Sequence, residues 1–332
     1  MSQRAVHVLA AASLAIISAP LNDAYAVEGS MGTYLVGTRD LVMGIVPPAG
    51  IYVSHDVVYY TGNLHAGTLV GATVENADLD LLLNKTVVTA VVPGQLFGGS
   101  VGFSLQVPII NANINATGTL RVPGIGAVSG NIDAGSADGL GDIVAVPLIG
   151  WHEGKTHYSF AAPMYLPTGD FETTTINVAA RSADAANPGK NRFAIDPTFS
   201  FTYLDPAAGH ELDFSVGVTF SEKNDATDYQ TGAEMHIEAT LAQRLPGGYL
   251  IGINGGYYQQ LEDDSGAGAD SLRSLLLTDD LKASYFVLGP VVSYSTKIEN
   301  VGVTLTAKYL KQFDAEKHFE GDSGWLRMNL SF

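Results

Sequence analysis

The chain has 332 residues, a formal net charge of −17 and no cysteine. The missing thiols exclude a disulfide framework, a lipoprotein anchor and thiolate chemistry. The acidity excludes nucleic acid as a partner, because phosphate binding needs clustered Lys and Arg.

The first element is a targeting signal. Arg4 supplies a positive start, Ala5 to Pro20 is apolar apart from His7 and two serines, and Ala24-Tyr25-Ala26 is a small-x-small cleavage site. This pattern predicts a secretory signal peptide over 1–26 and a mature chain from Val27. Beyond it no apolar stretch approaches the ~20 residues of a membrane helix. The mature chain is therefore either soluble or a β-barrel, and its richness in Gly, Tyr and Phe leans to β-structure.

Residues 27–50 are Gly-rich and apolar, lack helical periodicity and close on Pro47-Pro48, which forbids a central strand. Two readings stand for this segment: a periplasmic lead-in, or a plug folded into a barrel lumen. From Ile51 to Phe332 the chain reads as strand, link, strand. Twelve strands are predicted near 51–60, 84–92, 97–109, 141–151, 156–166, 192–203, 210–220, 233–244, 248–260, 282–295, 301–312 and 324–332. Each is near the 9–11 residues a tilted strand needs to cross a bilayer.

Alternation is clean in several of them, since successive side chains point to opposite faces. Leu212, Phe214, Val216, Val218 and Phe220 oppose Glu211, Asp213, Ser215 and Thr219, and Met235, Ile237 and Leu241 oppose His236, Glu238 and Thr240. A two-sheet sandwich would alternate in the same way. The links decide between them. Long links (61–83, 110–140, 167–191, 221–232, 261–281, 313–323) alternate strictly with short ones (93–96, 152–155, 204–209, 245–247, 296–300). Short turns at one end and long loops at the other are the asymmetry of outer-membrane barrels. The expected fold is thus an all-β, antiparallel, up-and-down transmembrane barrel of about twelve strands. Its last strand carries Leu326, Met328, Leu330 and Phe332 on one face, an expected lipid-facing assembly signal for the barrel-assembly machinery. Aromatics near strand ends, among them Tyr60, Tyr165, Tyr258 and Trp325, read as interface girdles.

Motifs for chemistry do not hold up. Gly98-Gly99-Ser100-Val101-Gly102 matches the nucleophile elbow, but Ser100 sits in a regular strand where that motif needs a strained strand-to-helix turn. The acidic run Asp263 to Asp270 lacks calcium-loop spacing, and the histidines lack metal-ligand spacing. What remains is the lumen face. Asp56, Asp196, Glu211, Asp213, His236, Glu238, Lys308 and Arg327 are the candidate solute-path residues. They suggest either a transverse field, with acids on one wall and Lys308 and Arg327 on the other, or local pairing of Asp56 with Arg327.

Several blocks together resemble one bacterial family, the outer-membrane transporters named for involvement in the meta-pathway of phenol degradation. The blocks include Glu28 to Asp40, Gly44 to Gly50, Pro167-Thr168-Gly169-Asp170, Phe201 to Pro206, Asp228 to Gly232, Tyr257-Tyr258-Gln259-Gln260, Leu288-Gly289-Pro290 and Glu320 to Trp325. The resemblance implies a barrel distantly similar to the fatty-acid and aromatic-hydrocarbon channels, passive uptake of small and aromatic or hydrophobic solutes, outer-membrane lipid as the surroundings, and no cofactor. By analogy with that wider group it makes Tyr34 and Arg39 plug residues. A barrel enzyme acting on lipid, and a structural or adhesive barrel without transport, are the alternatives.

Overall fold

A computed structural model describes residues 31–69, 72–122, 126–173, 176–177, 182–183, 186–276 and 278–332. The expected signal peptide and the first four residues after it lie outside the described residues. The strands are β1 (Gly50–Leu69), β2 (Ala72–Leu96), β3 (Gly99–Val122), β4 (Gly126–Leu140), β5 (Val144–Glu153) and β6 (Thr156–Ala161). There follow β7 (Met164–Tyr165), β8 (Ile176–Asn177), β9 (Ser182–Ala183), β10 (Ala194–Ile195), β11 (Thr198–Asp205) and β12 (His210–Ser221). The last are β13 (Glu234–Arg244), β14 (Tyr249–Gln260), β15 (Ser284–Ile298), β16 (Val301–Glu316) and β17 (Glu320–Ser331), with an α-helix, α1 (Ala267–Leu276), before β15.

These segments form twelve antiparallel wall strands, because β4 with β5, β6 with β7 and β10 with β11 each make one interrupted strand. Pro163 and Pro197 stand at two of the interruptions, where a missing N–H breaks the ladder. The sheet closes on itself: β17 pairs with β1 from Tyr52↔Ser331 to Asn63↔Glu320. Closure removes the free edge that a flat sheet would present.

The two ends differ as the links predict, but two of the expected long loops are strands. β1 and β2 stay paired out to Leu69↔Ala72, and β3 and β4 out to Val122↔Gly126, so residues 61–83 and much of 110–140 extend the wall outward. The pattern there is inverted: Ala77 and Leu79 are buried toward the inside while Asp78 and Asp80 are exposed outside. Once a strand rises past the lipid its outer face meets water, and apolar-out alternation no longer marks it. At the opposite end the turn after β2 is Phe97-Gly98, both with positive φ (49° and 75°), the two-residue geometry that matches strand twist. Pro93-Gly94, part of the short link expected over 93–96, lies instead in an irregularity within β2 where the register with β3 jumps between Val91 and Gln95.

The lipid-facing band carries exposed Phe199, Phe214, Phe220, Leu241 and Ile251. Leu326 (61%) and Phe332 (66%) face outward with Met328, while Leu330 is half-buried. Four residues assigned to aromatic girdles point inward instead: Tyr60, Tyr258 and Trp325 are buried, and Tyr165 lines an interior cavity. A hydrophobic cluster lies inside the barrel, where Tyr34 and Val36 of the N-terminal segment pack with Tyr258, Tyr285, Val287 and Leu310. A second cluster lies outside, where Leu272 and Ala269 of α1 meet Tyr229 and Leu281. The sequence reading placed no helix there; Arg273 of α1 pairs with Asp263 (2.9 Å) and Asp270 (2.7 Å), two acids of that run.

Candidate functional site

Residues 31–49 run through the barrel interior, and their backbone is held from two sides. On one side stand the acids of β12 and β13. Thr33 N–H donates to Glu234 Oε1 (3.0 Å), and Gly37 and Arg39 N–H both donate to Glu238 Oε2 (3.1 and 3.2 Å). Val42 N–H donates to Glu211 Oε1 (3.0 Å) and Met43 N–H to Asp213 Oδ1 (3.0 Å). Gly44 N–H then donates to Thr202 Oγ1 (2.8 Å). A side chain at position 44 could not be accommodated, since a Cβ would lie 2.6 Å from His157 O and 2.7 Å from Thr202 N. A net hydrogen bond contributes about 1 kcal/mol, so this series together holds a segment that has no secondary structure of its own.

Side chains add to it. Tyr34 donates its hydroxyl to Glu238 and stacks on His236 with ring centroids 3.6 Å apart. His236 Nε2 lies 3.0 Å from Asp196 Oδ1. Arg39 Nη1 donates to Ser200 Oγ (3.2 Å). Glu211 also accepts from Arg244 Nε (2.7 Å).

On the other side stand the cations of β16 and β17. Lys308 Nζ donates to Gly37 O and to Asp40 Oδ2 (2.9 Å), beneath which Trp325 presents its ring at 4.5 Å. Arg327 is shared: Nε donates to Asp56 Oδ1 (2.6 Å), Nη1 to Asp40 Oδ1 (2.9 Å) and Nη2 to Thr38 O (2.9 Å). Lys85 of β2 completes the group at 3.3 Å from Asp56. Gly37, at φ 105°, supplies the left-handed bend between the two contact series.

The sequence-derived lumen residues therefore form two opposed groups, and the N-terminal segment fills the space between them. Its amides face the acidic wall, and its carbonyls and Asp40 face the basic wall. The Asp56–Arg327 contact forms within the second group. Sequence reasoning missed Asp40, Lys85 and Glu234. Asp40 sits in a segment without periodicity and Lys85 in a strand whose register was unclear, so neither could be aimed from sequence. It also missed His152 and His157, which face each other across the β5–β6 hairpin. His152 Nε2–H donates to Val46 O (2.8 Å), so its Nδ1 accepts from His157 Nδ1–H (2.8 Å).

The segment does not fill the lumen. Between it and the opposite wall lies a cavity of ≈ 260 Å³ in the outer half of the barrel. Its wall side is apolar: Leu79, Leu81 and Leu83 from β2, and Ile110, Ala112 and Ile114 from β3. Its roof comes from the connection between β7 and β10, which contributes Phe171 and Pro188. That connection is pinned by Asp142, whose Oδ1 accepts from Thr168 N–H (3.1 Å) and Gly169 N–H (2.9 Å) and whose Oδ2 accepts from Lys190 N–H (2.7 Å). Asp170 adds a contact from Leu140 N–H (2.8 Å).

The fold is similar to that of the COG4313 outer membrane channel from Pseudomonas putida F1, with a TM-score of 0.64 at 13% identity, covering 87% of this chain and 98% of that one. The β domain of a Bordetella autotransporter, BrkA, gives 0.47 at 11% identity over 86% of this chain and 100% of that one. A mutant of TodX, a monoaromatic hydrocarbon channel, gives 0.43 at 10% identity over 95% and 96%. No curated protein matches the sequence. Residues 63–328 match the family described as "Putative MetA-pathway of phenol degradation". With that match over most of its length, and with a closed twelve-strand wall whose outer band is apolar, the chain belongs to this family and is a bacterial outer-membrane β-barrel.

Proposed function

We propose that the protein is an outer-membrane channel for passive uptake of small hydrophobic compounds, aromatic ones among them. The observation that carries this reading is the apolar wall of Leu79, Leu81, Leu83, Ile110, Ala112 and Ile114 inside the barrel. A barrel serving hydrophilic solutes keeps a polar interior; here the free space is walled with aliphatic side chains. Its size fits, since a dry apolar cavity of about 150 Å³ already holds a benzene ring.

The N-terminal segment acts as a plug in this reading, with Tyr34 and Arg39 among its contacts and the acids of β12 and β13 as its binding face. Held at both walls, it leaves no wide aqueous path, so sugars and ions pass poorly. Leu326, Met328, Leu330 and Phe332 serve as the recognition strand for the assembly machinery and sit among outer-membrane lipid.

The test compares cells that produce the protein with cells that lack it, in a background depleted of general porins. Influx of labelled benzyl alcohol and phenol should rise with the protein, while proteoliposomes swell no faster in sucrose than protein-free ones. Equal aromatic influx in both strains, or rapid swelling in sucrose, overturns the reading.

A further inference from the structure

Two imidazoles meet at the short-turn end of the barrel. β5 and β6 are joined through Gly154-Lys155, with Gly154 at φ 62°, a conformation that favours glycine. The turn sets the register that puts His152 opposite His157. Residues directly opposite in a sheet share a face. Here it is the lumen face: Thr202, the residue across from His157 on β11, points inward and accepts from Gly44 N–H. Spacing along the chain hides the pair, because only the hairpin makes these two positions neighbours.

The contacts preset one ring for coordination. Val46 O can only accept, so His152 carries its proton on Nε2 and presents the lone pair of Nδ1 on the other side of the ring. That lone pair meets His157 Nδ1 at 2.8 Å, with the ring centroids 5.0 Å apart and the planes at 61°. A metal-ligating histidine typically donates its other ring N–H to a carbonyl, a carboxylate or water, which fixes the tautomer and aims the ring. The Val46 contact has that form. His152 is exposed, so an ion reaches the pair from water.

We propose that His152 and His157 chelate one divalent transition-metal ion, Cu²⁺ above all, through their Nδ1 atoms in cis positions. The site is independent of the channel reading. Two nitrogens held about 2 Å from one ion at a right angle lie about 2.8 Å apart. Right angles suit the tetragonal coordination of Cu²⁺ and Ni²⁺, and affinity in the divalent series peaks at Cu²⁺. The ion takes the place of the proton between the rings, and each ring tilts off the line joining the two nitrogens to reach it. The displaced proton moves from His157 Nδ1 to His157 Nε2, so two neutral imidazoles each give one lone pair and no proton is released. Among the described residues no third His, Asp or Glu completes a metal-binding group, so water fills the remaining positions and the ion is exchangeable. Because His152 Nε2–H also holds Val46 O, the bound ion ties the end of the N-terminal segment to the β5–β6 hairpin.

The test is Cu²⁺ titration of the untagged protein in detergent micelles, read by pulsed EPR. The tightest Cu²⁺ should show the echo-modulation combination lines that two imidazole ligands produce and one does not. His152→Gln and His157→Gln should each weaken binding at least about tenfold, since a second ligand held in place acts at a high effective concentration, and each should lose those lines. Heat-modifiable mobility on gels checks that the variants are folded, and the wild-type spectrum counts imidazoles without them. A wild-type spectrum with a single imidazole or with oxygen ligands alone overturns the proposal. Equal Cu²⁺ affinity in the wild type and both folded variants overturns it as well.

Discussion

The inner faces of β12–β13 and of β2–β3 belong to one barrel and do opposite jobs. The first carries four carboxylates, Glu211, Asp213, Glu234 and Glu238, each engaged by a backbone amide of the N-terminal segment. The second is a row of aliphatic side chains facing an open cavity. A carboxylate inside a membrane protein is costly unless satisfied, and the segment over 31–49 is what satisfies this row. An aliphatic wall makes no such demand, so the space beside it can stay open. Carboxylates mark the wall that holds the chain, and aliphatic side chains mark the wall left for a solute.

Removing the occupant tests this division most severely. Deleting residues 31–45 should raise single-channel conductance several-fold in planar bilayers and make the pore cation-selective, because the acids of β12 and β13 would then face water. An unchanged conductance would show that the segment does not limit the path. Next in size is Asp40→Asn. It leaves Lys308 and Arg327 with one carboxylate fewer inside the barrel, and breaking a buried pair costs about 3–5 kcal/mol. The heat-modifiable transition should move to clearly lower temperature; a shift of a degree or less would mean that water replaces the carboxylate freely.

The apolar wall has its own test. Ile110→Trp should fill much of the cavity and cut benzyl alcohol influx by roughly an order of magnitude, while overpacking keeps the stability loss within about 1–3 kcal/mol. Normal influx would place the path elsewhere.

The smallest effect concerns the outer loop before β15. Burial pushes Asp264 up to about 6, although it accepts from Tyr229, Gln260 and Gly232 N–H. A carboxyl whose folded value lies above its unfolded one binds more protons when folded, so stability falls as pH rises through this window and levels off above it. Amide exchange over 229–283 should therefore be slower at pH 5 than at pH 7, after correction for intrinsic rates, and Asp264→Asn should abolish the difference. Equal protection in the wild type would count against it.

Much of the fold could be read because the bilayer imposes a simple code. Glu211-Leu212-Asp213-Phe214 can only be one face to lipid and one to the lumen. The code ends where the lipid ends. Asp78 and Asp80 face water while Leu79 faces inward, and that stretch reads as a loop although it is strand. This is why the six aliphatic residues of the cavity wall went unassigned. The charged lumen residues were legible one by one, but their partner was not. Contacts such as Met43 with Asp213, 170 positions apart, leave no trace in local spacing. The resembling blocks do coincide with clamps: Thr168 and Gly169 bind Asp142, Tyr258 donates to Glu234, and Gly232 donates to Asp264.

Arg327 lies on the final strand and Asp56 on the first, and Asp40 reaches Arg327 from the chain that precedes both. Five charged groups thus converge across the line where the cylinder is sewn shut. Before that join is made, Lys85 and Asp56 belong to one end of the sheet, and Lys308 and Arg327, the two cations that bind Asp40, belong to the other. The cluster can exist only in a finished cylinder. Completion of this cluster is therefore a read-out of closure, and a barrel that failed to join would leave Arg327 without Asp56.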